Sequence, residues 1–150
     1  MSEKTLSWGL VVATYQREKI LPQCISLATQ QTRKPDEIII VDASDNWNET
    51  RTHIMTAIAA AHPDIRWIYV PAHQRGLPHQ RNQGIDLATA DILFLLDDDS
   101  LMTPTCAEEI MQVYEADEAR RVMGVQAALI DTLPGEFVVQ DEQKATGSKG

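Results

Sequence analysis

The run Asp91-Ile92-Leu93-Phe94-Leu95-Leu96 stops abruptly at Asp97-Asp98-Asp99-Ser100. An apolar run this short and this continuous is the pattern of a β-strand buried on both faces, the kind found in parallel sheets. Working outward, Glu37-Ile38-Ile39-Ile40-Val41 has the same form and also ends on an acid, Asp42. Trp8-Gly9-Leu10-Val11-Val12-Ala13-Thr14 and Ile65-Arg66-Trp67-Ile68-Tyr69-Val70 are two further short runs rich in β-branched or aromatic residues. Between the four runs the apolar spacing becomes helical. Ile20, Leu21, Cys24, Ile25 and Ala28 mark one face, Ile54, Ile58 and Ala61 a second, and Ile85 and Ala88 a third. Strand alternating with helix predicts right-handed βαβ units, hence an α/β fold whose mostly parallel, Rossmann-like sheet carries helices on both faces.

Beyond Leu96, Pro104 precedes Thr105-Cys106-Ala107-Glu108, a capping-box pattern that opens a helix to about Glu115. Residues 121–130 read as one more strand. The pattern dissolves from Pro134-Gly135, so residues 1–133 are taken as one domain and 134–150 as a disordered or irregular tail.

Composition agrees with a globular domain. Of 150 residues, 43% are hydrophobic and only 5% aromatic, and 22 acidic residues against 13 basic leave a net charge of −9. Collagen-like, disulfide-rich and disordered classes are excluded. The negative balance argues against general binding to nucleic acid or to anionic membranes. No apolar run approaches the ~18–20 residues of a membrane span, and Met1-Ser2-Glu3-Lys4 leads straight into a strand without a signal-peptide pattern. Cys24 and Cys106 make neither a disulfide framework nor a zinc site, which suits a reducing cytoplasm.

Ligands of open α/β sheets bind beyond the carboxyl ends of the strands, and nearly all the polar chemistry of this chain follows a strand. Three adjoining carboxylates after Leu96 cannot be buried bare. They are either a solvated acidic turn or a site for a hard cation such as Mg²⁺ or Mn²⁺, which accepts a few carboxylates and keeps positions for phosphate and water. In extended chain Asp97 and Asp99 point one way and Asp98 the other, making Asp97 and Asp99 the natural pair. In Gly76-Leu77-Pro78-His79-Gln80-Arg81-Asn82, Pro78 suits a first helical turn, so Arg81 lies near a helix N-terminus. There it can meet a phosphate with paired donors or pair with a surface acid. Asp42 can accept from a base or ribose, or cap its own loop with Ser44. His73 and His79 read as polar loop residues rather than metal ligands. The dinucleotide fingerprint, the phosphate loop and the nucleophile elbow are all missing.

Four segments in order carry a resemblance: residues 10–18 (Leu-Val-Val-Ala-Thr-Tyr-Gln-Arg-Glu), 38–45 (Ile-Ile-Ile-Val-Asp-Ala-Ser-Asp), 76–84 (Gly-Leu-Pro-His-Gln-Arg-Asn-Gln-Gly) and 90–99, which ends in the triple aspartate. Over about residues 8–115 the chain resembles the N-terminal, nucleotide-sugar-binding portion of family 2 glycosyltransferases, inverting enzymes of the GT-A fold that use nucleotide-diphospho-sugars. The resemblance implies that Thr14, Tyr15, Arg17 and Glu18 flank the nucleotide, with Asp42 and Ser44 near the base. It puts Arg81 and Asn82 at the nucleotide-sugar pocket together with Asp97 and Asp98. Asp97 and Asp99 become the Asp-x-Asp pair for Mg²⁺ or Mn²⁺, which neutralises the departing diphosphate. Ala43 and Ser44 depart from the acid or Asn, then Gly, that often follows Asp42's position. Family members also carry the acceptor site and a carboxylate base in a C-terminal portion, and Asp131, Glu136, Asp141 and Glu142 do not resemble that base motif. The expectation is therefore a truncated or short member that binds a donor, with a saccharide or lipid-linked acceptor and no assignable catalytic base. Two other readings stand beside it. One is a phosphotransferase of the haloacid-dehalogenase type, whose Asp-x-Asp pair follows its first strand. The other is a non-catalytic binding or assembly module, a homo-oligomer burying Trp8 or the loop around Trp47.

Overall fold

A computed structural model describes residues 5–122, 124 and 125. Its elements are β1 (Trp8–Thr14), α1 (Leu21–Thr29), β2 (Glu37–Asp42), α2 (Trp47–Ala57), a 3₁₀ turn (Ala59–Ala61), β3 (Arg66–Pro71), α3 (Leu77–Leu87), β4 (Ile92–Asp97) and α4 (Cys106–Ala116). The four strands form one sheet in the order β3-β2-β1-β4, and every neighbouring pair is parallel. The alternation expected of an α/β chain is therefore present. The start at residues 1–4 and the tail at 134–150 lie outside the described residues, as does most of the strand expected over 121–130.

The period-2 alternation of the strands builds two apolar layers. On one face Trp8, Leu10 and Val12 of β1 and Ile38 and Ile40 of β2 pack with Leu21, Cys24 and Ile25 of α1, Ile54 of α2 and Met111 of α4. On the other, Val11, Ile39 and Val41 meet Leu87 and Ala88 at the end of α3. Ile38 to Val41 are fully buried, and each such side chain contributes roughly 1.5–3 kcal/mol of transfer free energy. Trp8 also belongs to this core, its ring centroid 4.4 Å from that of Phe94, so it is not available to an oligomer interface.

Three local expectations need correction. The run ending at Leu96 is not buried on both faces. Among the described residues β4 is an edge strand, and Leu95 is 46% exposed. Thr105 occupies the N-cap position of α4, but its side chain makes no capping bond, and its hydroxyl donates to Glu109 at 2.8 Å rather than closing a box with Glu108. The buried face of α3 carries Gln80 and Gly84, while Ile85 is exposed. Gly84 explains that rotation. A Cβ there would stand 2.5 Å from Val11 Cγ1, so only glycine lets α3 lie this close to β1.

At the amino edge of the sheet, buried Glu37 ties the chain together. It accepts from the N–H groups of Thr89 and Ala90, both at 2.8 Å, from the Thr89 hydroxyl at 3.0 Å and from Arg66 at 2.6 Å. Burial alone pushes its carboxyl up, but the Ala90 and Thr89 amides, the Thr89 hydroxyl and Arg66 outweigh that and hold it below the usual range.

Gly84→Ala is expected to overpack the contact with Val11 and cost about 1–3 kcal/mol, read as a lower urea midpoint. For Glu37 the folded-state pKa is depressed, so its stabilisation is present above the unfolded value and lost as pH falls through the folded one. Glu37→Gln is therefore expected to unfold at lower urea near neutrality. It should also lose less stability than the parent between about pH 5 and about pH 3, as urea midpoints along that series will show.

Candidate functional site

Parallel strands deliver all their carboxyl ends to one edge. Thr14, Asp42 and Asp97 are the last residues of β1, β2 and β4. Register sets Thr14 beside Asp42 and Ala13 beside Asp97. The turn after β1, the turn after β2, the start of α3 and the aspartate turn therefore converge.

Within the aspartate turn the side chains separate as extended spacing predicts. Asp98 turns inward, 8% exposed, and its Oδ2 accepts the Thr14 hydroxyl at 2.8 Å. Asp97 and Asp99 face out, and each meets an arginine. Arg81 Nη2 donates to Asp97 Oδ1 at 2.8 Å, and Arg17 Nη1 lies 3.4 Å from Asp99 Oδ2 and 3.8 Å from Asp98 Oδ1. The backbone N–H of Ser100 closes the turn on the Asp97 carbonyl at 3.0 Å. Of the two open readings of Arg81, the pairing with an acid is the one present, and it is made from the second turn of α3. Half-exposed pairs of this kind contribute only ~0.2–1 kcal/mol, so either arginine can exchange its carboxylate for a better anionic ligand at little cost.

The donor set bears on a metal. Among the described residues no group of three or more His, Cys, Asp or Glu side chains is arranged to hold an ion. Two outward carboxylates, Asp97 and Asp99, fit a hard divalent ion only as a partial site whose remaining positions come from a ligand and water, the habit of Mg²⁺ and Mn²⁺. Asp98, engaged by Thr14, shapes the turn. Beneath it, burial first and then the charges of Asp98, Asp99 and Asp97 push the Cys24 thiol up to about 12. Cys24 is a core thiol and not a nucleophile.

Asp42 is 2% exposed, and both of its oxygens are engaged. Oδ1 accepts the Ser44 N–H at 2.8 Å and Oδ2 the Tyr69 hydroxyl at 2.5 Å. Burial, with Asp42 as hydrogen-bond partner and neighbouring charge, pushes the Tyr69 phenol up, so it stays a donor. Ser44 Oγ in turn accepts the Gln16 N–H at 2.5 Å, at a residue with φ of 53°. Asp42 therefore caps its own loop and joins β2 to β3. Glu18 and Asn82 are exposed, and no hydrogen bond among the described residues ties either to the aspartate turn.

An open cleft of about 360 Å³ lies between these parts, lined by Thr14, Tyr15, Arg17, Arg75, Gly76, Gln80 and Asp98 among others. Two of its residues escaped sequence reasoning. Arg75 stacks on Tyr15, 4.7 Å from the ring centre, and donates to its hydroxyl at 2.8 Å. Gln80 is buried. Its spacing to Gly84 and Leu87 marks a sheet-facing stripe, and a polar residue in such a stripe is the signal that could have found it. On the far side of Asp97 a second hollow of about 510 Å³ follows the open edge of β4 and is bordered by Arg81, Leu95, Ser100 and Met102.

The chain and its fold are similar to known proteins. The family model described as "Glycosyl transferase family 2" matches residues 10–133. An uncharacterized glycosyltransferase of Nostoc sp. is 26% identical over 141 residues, which is 94% of this chain and 42% of the relative. Among solved structures, a mannosyltransferase of Pyrobaculum calidifontis in complex with GDP-Man and Mn²⁺ superposes with a TM-score of 0.60 at 21% identity, over 77% of this chain and 33% of that one. TarS of S. aureus, residues 1–349 in complex with UDP, gives 0.60 at 14% identity over 85% and 40%. At these identities the likeness is one of fold. The chain spans less than half the length of each.

Thr14→Val keeps the shape of β1 and removes the donor to buried Asp98. An unsatisfied charged acceptor costs about 1–3 kcal/mol or more, so the urea midpoint should fall, and fall further than for Thr52→Val on the exposed side of α2.

Proposed function

The chain belongs to glycosyl transferase family 2, and from that premise we propose that it binds a nucleotide-diphospho-sugar in the cleft at the carboxyl edge for inverting transfer of the sugar to an acceptor. One observation supports this most: two arginines, Arg17 and Arg81, face the outward carboxylates Asp99 and Asp97 across a turn that borders the cleft. Alternating fixed charges of both signs are what a diphosphate with its counter-ion requires. Arg17 and Arg81 can each present a guanidinium to phosphate oxygens. Asp97 and Asp99 would hold Mg²⁺ or Mn²⁺, which when bound stabilises the negative charge gathering on the nucleoside diphosphate as it leaves.

The remaining assignments follow the path of the ligand. Tyr15, beside Thr14 and Glu18, offers a ring next to the cleft for the nucleotide. Asp42 and Ser44 shape the base end, Asn82 lies with Arg81 at the sugar end, and Asp98 holds the turn. The acceptor in this reading is a saccharide or a lipid-linked acceptor. Inversion at the anomeric carbon needs a base for the acceptor hydroxyl, and we assign that role to no described residue. The pair of aspartates follows the fourth strand rather than the first, which sets this chain apart from the haloacid-dehalogenase arrangement.

Thermal unfolding with UDP or GDP, with and without Mn²⁺, tests the reading. A ligand at a hundred times its Kd adds about 2.7 kcal/mol to the native state. The melting temperature is expected to rise with nucleotide and Mn²⁺ together, and Asp99→Ala is expected to abolish that rise. A rise of equal size in Asp99→Ala would remove the metal from the proposal.

A further inference from the structure

We infer that Gln80 is a positioning residue for the donor cleft: its buried amide fixes the first turn of α3 to the ends of β1 and β2 and, through Thr14, to the aspartate turn. The inference rests on the proposed reading of the cleft as a nucleotide-diphospho-sugar site. Gln80 is 3% exposed on the helix face that meets the sheet. Burying an amide there is unfavourable unless its hydrogen bonds are all made, and here they are. Nε2 donates to the carbonyls of Thr14 at 3.0 Å and Val41 at 2.9 Å, while Oε1 accepts the Gly76 N–H at 3.0 Å. The opposite orientation would set Oε1 against two carbonyls, so the network itself fixes the amide.

Three consequences follow from one side chain. Its two donors address the ends of adjacent strands at once, beside the ladder bond from the Ala43 N–H to the Thr14 carbonyl at 3.0 Å, so the amide adds a side-chain tie from α3 to both strands at the carboxyl edge. Gly76 is held from both directions, because its carbonyl accepts the Gln80 N–H at 2.9 Å while its own N–H donates to the Gln80 side chain. Gly76 has φ of 135°, a backbone conformation open to glycine alone, and this bond pair secures it at the lip of the cleft. Thr14 then continues the chain, since its carbonyl receives Gln80 and its hydroxyl donates to Asp98. Gln80 is therefore connected through one residue to the turn that carries Asp97 and Asp99. Its chain neighbour Arg81 reaches the same turn directly. The arginine and the carboxylates are thus placed relative to one another before any ligand arrives, and ordering made during folding need not be made again on binding.

The test uses the full 150-residue chain, UDP and GDP as probes with Mn²⁺, and calorimetric titration at a temperature where circular dichroism shows each variant folded. Gln80→Met keeps the volume and removes all three bonds, and Glu37→Gln at the opposite edge is a control for lost stability. The expected result is nucleotide binding weakened roughly tenfold or more in Gln80→Met, with Glu37→Gln holding the parent Kd despite its lower melting temperature. Should Gln80→Met fail to fold, Gln80→Asn shortens the amide by one methylene without adding charge and is read the same way. Parent-like binding in the Gln80 variant, or equal weakening in Glu37→Gln, overturns the positioning role and leaves the functional reading standing. Failure of the parent chain to bind either nucleotide overturns the functional reading itself.

Discussion

Three carboxylates in succession at the end of an apolar strand are an electrostatic problem that the rest of the carboxyl edge is arranged to solve. Asp98 is turned inward onto the Thr14 hydroxyl, and Asp97 and Asp99 are turned outward onto Arg81 and Arg17. Each partner comes from a different part of the fold: the end of β1, the turn that follows it, and the first turns of α3. The close approach of α3 at Gly84 brings Arg81 within reach, and the parallel register of β1 with β4 brings Thr14 there. Because the two outer pairs are exposed and weak, while the inner one is buried and hydrogen-bonded, the turn keeps its shape as its outer partners change.

The same edge is stitched at every strand boundary. Tyr69 of β3 bonds Asp42 of β2, Gln80 spans β2 and β1, and Thr14 of β1 bonds the turn after β4. Glu37 does the corresponding work at the opposite edge, where no ligand chemistry is proposed. A sheet pinned at both ends gives a cleft whose walls are fixed by the fold.

Much of this could be read from the chain alone. Apolar period and run length were enough for the four strands and the order of helices. The rule that ligands collect beyond the carboxyl ends points to Arg81 and the aspartates, the family resemblance adds Thr14 and Arg17, and the fold brings them into one place. Pairing partners were not legible, because they depend on which strand lies beside which. The run at Leu93–Leu96 looks as buried as Ile38–Val41, yet among the described residues β4 lies at the sheet edge and Leu95 is exposed. Asp42 looks like a free acceptor until Tyr69, 27 residues on, is seen to bond it. Gln80 is not legible in the sequence, because a polar residue reads as solvent-facing unless the close approach permitted by Gly84 is known.

Among the described residues this edge offers a divalent ion two outward carboxylates, so under the proposed reading ion and nucleoside diphosphate bind together. Electron paramagnetic resonance of free Mn²⁺ measures this directly, because the sharp signal of the hydrated ion fades as the ion is taken up. Little loss of signal is expected with the chain alone and a strong loss once UDP or GDP is added, beyond what the nucleotide takes up without protein. Strong uptake of Mn²⁺ by the chain without nucleotide, or none beyond the nucleotide's own in its presence, would rule out joint binding at this edge.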